Sequence, residues 1–290
     1  MKFGQVDNPE EVDFSIPKDD PATTDILKKN KNSNPFEVYV GCAKWNKTDL
    51  KGFYPRGTKD ELSYYSTQFN SVELNATFYK MPTSDQVETW KNKATENFKF
   101  FPKISNTISH FRRLNNIEEP LEMYCDAISH FDEKLGMVFL QMHDNFKPKD
   151  FDKVENFVKK FPKGFPLAVE VRNQDWFLDN AASQKLYKLL EDHKVANVVV
   201  DTAGRRDLLH MRLTTPTAFV RYVGANHKSD YTRLDDWIER IKDWKEAGLN
   251  SLYFFVHQNV ELESPLLSAY FIEKLNKEFG LTLKIPELIK

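Results

Sequence analysis

Residues 69–79 read FNSVELNATFY. Val72, Leu74 and Ala76 alternate with Glu73, Asn75 and Thr77. Side chains along a strand point alternately to opposite faces, so this pattern predicts one apolar face and one polar face. Helical patterns lie on both sides. Thr58 and Glu61 have the spacing of a capping box ahead of the apolar stripe Leu62, Tyr65 and Phe69. Pro82 and Thr83, with Gln86 three residues on, open a second helix through Val87 and Trp90. A strand between two helices is covered on both faces. A carboxylate and an amide in such a strand need partners or a cavity, so its end is expected to form part of a site.

The pattern repeats outward. Strands are predicted at 38–42, 98–104, 137–142, 167–172, 195–201, 218–223 and 251–257. Between them run helical stripes such as Phe151, Val154, Val158 and Phe161, or Leu234, Trp237, Ile238, Ile241 and Trp244. Eight strands alternating with helices imply an α/β fold with a parallel sheet, and eight units in about 250 residues fit a (β/α)8 barrel of the TIM type. A doubly wound sheet would bring a glycine-rich turn after the first strand, and GCAKW at 41–45 is not one. The expected organisation is a polar N-terminal arm over 1–36, with a short helix near 24–29, and a single barrel domain over 37–290.

Composition narrows the function. Hydrophobic residues make up 40% of the 290-residue chain, enough for a large core, and a net charge of −2 leaves no global basic excess. Nucleic-acid contacts would therefore have to come from a local patch. No run of 18 apolar residues exists, the start MKFGQVDNPE lacks an apolar signal core, and two cysteines make no disulfide framework. These features predict a soluble, cytoplasmic protein with no membrane partner; oligomeric state is not readable.

Barrel enzymes build their sites at the C-terminal strand ends. The late polar residues there are Glu73, Asn75, Lys103, Gln141, Glu170, Arg172, Asp201, Arg221 and His257. Lys103, Arg172 and Arg221 are expected to bind an anionic substrate. Glu73, Glu170 and Asp201 are the candidate catalytic acids and bases. Asn75, Gln141, His257, His110, Trp45 and Tyr79 complete the candidate substrate-binding set. Structural readings stand beside these: Glu170 and Arg172 as a buried ion pair, Asn75 and Gln141 as loop-orienting amides, Trp45, Tyr79 and Trp176 as lid or core aromatics. His110, His143 and His257 lack the spacing of an HExxH-type site, so no residue is assigned as a metal ligand, and a divalent metal held by the acids is the less favoured arrangement. No P-loop, GxGxxG or nucleophile elbow occurs, so no nucleotide cofactor is expected. The reading is an enzyme acting on an anionic, phosphate-bearing substrate, nucleic acid included. The alternatives are a non-catalytic ligand-binding or regulatory protein using the same pocket, and a divalent-metal-dependent sugar isomerase or endonuclease-like enzyme.

The motifs VELNATFYKMP at 72–82, FKFFPKISNTISH around Lys103 and His110, LGMVFLQ ending at Gln141, VEVRNQDWF around Glu170 and Arg172, VVVDTAG around Asp201, and FVRYVG around Arg221 resemble those of domain-of-unknown-function family 72, the YecE-like proteins. The resemblance runs from about Tyr39 to the C-terminal helix. It implies a TIM-type barrel and no particular reaction or cofactor. That barrel is similar to the endonuclease IV and xylose isomerase group, an analogy of fold alone. The chain departs from the family pattern at Lys44, His143, Val223–Gly224 and the VHQN segment at 256–259, all expected at the site rim.

Overall fold

The computed structural model describes residues 4–288. The first three residues of the expected arm and the last two of the expected barrel domain lie outside them. Eight parallel strands occur: β1 (Glu37–Cys42), β2 (Ser71–Leu74), β3 (Lys99–Pro102), β4 (Val138–Gln141), β5 (Leu167–Glu170), β6 (Ala196–Thr202), β7 (Thr217–Gly224) and β8 (Ser251–Gln258). The α-helices are α1 (Pro21–Lys29), α2 (Glu61–Gln68), α3 (Ala76–Tyr79), α4 (Ser84–Lys93), α5 (Glu118–Ser129), α6 (Phe151–Lys160), α7 (Asp175–Leu178), α8 (Asn180–Asp192), α9 (Ser229–Ala247) and α10 (Ser264–Phe279).

The strands form a curled six-stranded sheet in the order β1-β8-β7-β6-β5-β4 and a separate ladder of β2 with β3. This differs from the single continuous eight-stranded sheet expected, for a local reason. β2 stops at Leu74 because Asn75 is helical (φ −76°, ψ −14°) and begins α3. β3 stops at Pro102. Single bridges, Phe100 to Leu135 and Lys103 to Phe139, join β3 to β4. Across the gap between β1 and β2, the Asn70 amide accepts from the Val40 N–H at 3.0 Å and donates to the Val38 carbonyl at 2.8 Å. Gly41 makes the approach feasible: a Cβ there would lie 2.1 Å from the Ser71 carbonyl oxygen.

Two apolar layers result. The concave face holds a small cluster of its own, with Phe101, Phe139, Val198, Val200, Phe219 and Phe255. The convex face packs Val72, Leu74, Val169, Val199 and Val220 against the helices. Trp237 and Trp244 on α9 are buried as the stripe predicts. Gly248 ends α9 at φ +128°, where a Cβ would also meet the Leu27 carbonyl oxygen at 2.4 Å. Thr83 caps α4 as expected, accepting from the Gln86 N–H. The cap of α2 is Asp60, which accepts from Ser63 N–H at 2.9 Å, and not Thr58, whose hydroxyl donates to the Pro55 carbonyl. Glu61 accepts from the Lys47 N–H instead of reaching back along its own helix.

The described part of the arm lies along the domain. Gly4 accepts from the Gly204 N–H at 3.0 Å, and Arg206 donates to the Ser15 carbonyl. Asp19 accepts from Arg240 at 2.6 Å and from the Trp244 indole at 2.9 Å. Leu27 on α1 is fully buried in the core.

Candidate functional site

Register decides which polar residues meet. Neighbours side by side in a parallel sheet share a face. Gln141 pairs with Glu170, Arg221 with Val200 and Phe255, and Val223 with His257. Glu73 pairs with Phe101. Phe101, Phe139, Val200 and Phe255 belong to the concave cluster, so Glu73, Gln141, Glu170, Arg221 and His257 rise above it on the same face.

Asp201 pairs with Tyr222 and therefore faces the other way. It is fully buried under α9, accepting from Arg233 at 2.7 Å, from the Trp237 indole at 2.7 Å and from Arg206. Burial alone would raise its pKa; Arg233 and Arg206 hold it below the ordinary carboxylate value. The expectation that Asp201 joins the other acids is thus corrected: it clamps a helix to the sheet. Asp201→Asn should cost roughly 2–3 kcal/mol in urea unfolding, because buried Arg233 is left with Asp230 as its one carboxylate partner and Arg206 loses its own.

The residues that do converge form one chain of hydrogen bonds. Arg221 binds Glu73 through two parallel bonds, Nε to Oε2 and Nη2 to Oε1, both 2.8 Å. Its Nη1 donates to Glu170 Oε2 at 2.8 Å. Arg172 Nε donates to Glu170 Oε1 at 2.6 Å. Gln141 Nε2 reaches both Glu170 oxygens, and its Oε1 accepts from Lys103 Nζ at 2.7 Å. His257 Nε2 lies 2.9 Å from Glu73 Oε2. Asn75 donates to Glu73 Oε1 at 2.8 Å and, at 3.4 Å, to the Ala43 carbonyl. Asn75 reaches the cluster from the first turn of α3 and not by strand alternation. Thr77, expected on the same polar face, is buried with its hydroxyl against the Leu74 and Lys103 carbonyls, tying β2 to β3.

Above this layer lies a cavity of about 510 Å³. Its wall includes Asn75, Tyr79, Lys103, His110, Gln141, Arg172, Arg221 and His257 among the expected residues. Glu73 and Glu170 are under the floor and not in the wall. Trp45 sets its ring edge-on to Trp90 at 6.0 Å and takes no part in the lining of the cavity. Phe78, His143, Asp144 and Glu261 also line it. Phe78 was hidden because its stretch reads as strand; the turn into α3 swings it inward. A smaller cleft of about 210 Å³ shares Arg172, Arg221, His257 and Glu261 and is closed on one side by Gln5 of the arm. No sequence signal places Gln5 there.

Electrostatics divide the layers. Burial would raise Glu73 and Glu170. Arg221, seconded by His257 for Glu73 and by Arg172 for Glu170, reverses this, leaving Glu73 well below the ordinary value and Glu170 at about 2. Both are ionised, with their oxygens occupied by arginine and amide donors. Such carboxylates hold cations in place and are poorly suited to moving protons. Lys103 is different: burial, and then the charge of Arg221, bring its ammonium down to about 7. Burial and Lys103 likewise bring His110 down to about 4, so it is neutral at pH 7. The floor and wall around Arg221 therefore offer donors and one amine that titrates near neutrality, with the carboxylates of Asp144 and Glu261 elsewhere in the lining. No group of three or more His, Cys, Asp or Glu side chains among the described residues is placed to hold a metal ion. None of the described helices is long and apolar enough to cross a membrane.

Comparison with known proteins agrees on one family. The profile described as "Protein of unknown function DUF72" matches residues 39–288. The UPF0759 protein YecE of Escherichia coli K12 is 25% identical over 275 residues, covering 86% of this chain and 98% of YecE. The UPF0759 protein YunF of Bacillus subtilis is 26% identical over 243 residues, covering 78% and 80%. Among solved structures, a DUF72 family protein from Thermotoga maritima superimposes with a TM-score of 0.68 at 25% identity, over 83% of this chain and 99% of that one. Another from Enterococcus faecalis gives 0.67 at 16% identity, over 86% and 99%. With its motifs, its curled parallel sheet and a profile match over nearly its whole length, the chain belongs to the DUF72 family.

Proposed function

We propose that this protein is an enzyme acting on a small anionic substrate held in the cavity above Arg221. The observation that carries the reading is the layering around Arg221: the carboxylates of Glu73 and Glu170 lie beneath the floor, and Lys103 and Arg172 stand in the wall, which also carries Asp144 and Glu261. Glu73 and Glu170 hold Arg221 in place and steady the guanidinium of Arg172, so anion binding requires little reorganisation of the site. A phosphate or carboxylate suits a guanidinium fork and an ammonium together. A cavity of about 510 Å³ admits a metabolite-sized ligand and matches a nucleic acid only if a single unit enters it. An amine held near neutrality distinguishes a catalytic site from a plain receptor for anions. We also propose that the eight strands work as one closed (β/α)8 barrel; the two β3–β4 bridges and the Asn70 bonds between β1 and β2 support closure. Cytoplasmic residence belongs to the same proposal, supported by two buried, unpaired cysteines.

The test is titration calorimetry with inorganic phosphate and with citrate at low salt and pH 6.5. Arg172→Met should weaken binding about tenfold or more, as loss of a charge-assisted hydrogen bond implies. If neither anion binds, or the variant binds both as well as the parent protein, the reading fails. For a nucleic-acid ligand, affinity for a short oligonucleotide should fall steeply with salt.

A further inference from the structure

We propose that the Lys103 amine condenses with the carbonyl carbon of a small anion that carries an aldehyde or ketone near its charged group, forming an imine in the cavity. This rests on the anion-site reading and names the substrate class for it.

The geometry around Lys103 sets it apart from the other cations of the site. Arg172 and Arg221 are each ion-paired with a buried glutamate. Lys103 Nζ instead meets the neutral amide oxygen of Gln141 at 2.7 Å and lies 3.9 Å from the centre of the Phe78 ring. Among the described residues it has no carboxylate partner. The Gln141 amide is held in one orientation because its nitrogen binds both oxygens of Glu170, so its oxygen is the atom offered to the amine. One N–H is thereby directed and the amine is presented to the cavity wall it forms. The residue is 6% exposed. A buried lysine beside an arginine is a recognised way to keep an amine nucleophilic near neutral pH. Here burial and Arg221 bring it to about 7, so the free base is accessible near neutral pH.

The step balances without a further reactant. The nitrogen lone pair attacks the carbonyl carbon and the carbonyl oxygen takes up the amine's proton. The resulting carbinolamine then loses its hydroxyl, with the second amine proton, as one water, leaving C=N. Arg172 is placed to receive the anionic end of the same molecule, and the neutral His110 is a proton acceptor in the wall.

The experiment treats the full-length protein at pH 7.5 with glyoxylate or pyruvate in one arm and glyceraldehyde 3-phosphate in the other. Sodium cyanoborohydride traps any imine as a secondary amine, and peptide mapping gives the mass increment at each lysine. Labelling at Lys103 at least tenfold above the exposed lysines, in either arm, is the expected result; the responding arm tells an oxo acid from a phosphorylated aldehyde. The Lys103→Met variant should lose only that increment while keeping its circular dichroism spectrum. Excess inorganic phosphate should suppress the label. Label at Lys103 no greater than at exposed lysines in both arms overturns the imine. If calorimetry still shows phosphate bound, the anion site survives that failure; if phosphate is not bound either, both readings fall.

Discussion

Lys103→Met is expected to make the protein more stable at neutral pH, by about 3 kcal/mol. The amine sits at about 7 in the folded chain against its ordinary 10.5. Between those values the unfolded chain binds a proton that the folded chain does not. Stability therefore rises with pH across that window, and the full penalty is present below it. Three and a half units correspond to roughly 5 kcal/mol. Part of that is offset in the variant because Gln141 loses the donor to its oxygen, which costs about 1–2 kcal/mol. Urea unfolding of both proteins at pH 7 and pH 9.5 measures the effect, and the advantage of the methionine should shrink at the higher pH. A variant less stable than the parent protein at both pH values would show that Lys103 is kept for the structure. A residue that weakens the fold while facing a cavity is one retained for what it does there.

Arg221→Met should act in the opposite sense and lower stability by roughly 3–5 kcal/mol at pH 7, because it leaves two buried carboxylates without their main countercharge. The side chain donates to Glu73 twice and to Glu170 once. Changing Glu73 and Glu170 to glutamine in the same chain should recover a large part of the loss. The acid limb gives a second measure. Both folded-state carboxyl pKa values are depressed, Glu170 to about 2 from 4.5. Their contribution is complete above the unfolded value and is lost as pH falls from about 4.5 towards about 2. The parent protein should therefore weaken across that range, whereas Arg221→Met should weaken much less. An acid limb of equal slope in the two proteins would mean that Arg221 does not hold the glutamates ionised.

Much of the site was legible in sequence because parity along a strand is legible whenever apolar and polar residues alternate. LAVEVR placed Glu170 on the face opposite Val169, and FVRYVG did the same for Arg221. VANVVVD carries no such signal: Val198, Val199 and Val200 are equally apolar, so the side on which Asp201 falls depends on register with β7, which only the fold supplies. The partners that hold Asp201 were visible, since Arg233 and Trp237 lie four residues apart on one face of α9, yet nothing local ties that face to β6. The stretch that announced the site was also misjudged in part. Strand alternation carried through Asn75 and Thr77 in sequence, whereas the backbone turns helical at Asn75. The turn leaves Asn75 on Glu73, brings Phe78 beside Lys103 and sends Thr77 to brace two strand ends. Glu170 in a buried ion pair with Arg172 was one of the two readings its sequence offered, and the structure shows that pair; the like role of Glu73 escaped the sequence because residue type alone does not tell a wall from the layer beneath it.

Gln5 closes one side of the cleft beside Arg172 and Arg221, although the region shared with the family begins only at residue 39. Under the proposed function, selectivity in this chain has a contributor outside the common domain, one that is laid along the sheet and helices and takes no place in a strand ladder. Substitutions at that position can retune which molecules are admitted without disturbing how the interior packs. A compound found to fit YecE or YunF therefore has to be tried on this protein with its leading segment intact, and again with Gln5 altered, before the same preference is ascribed to it.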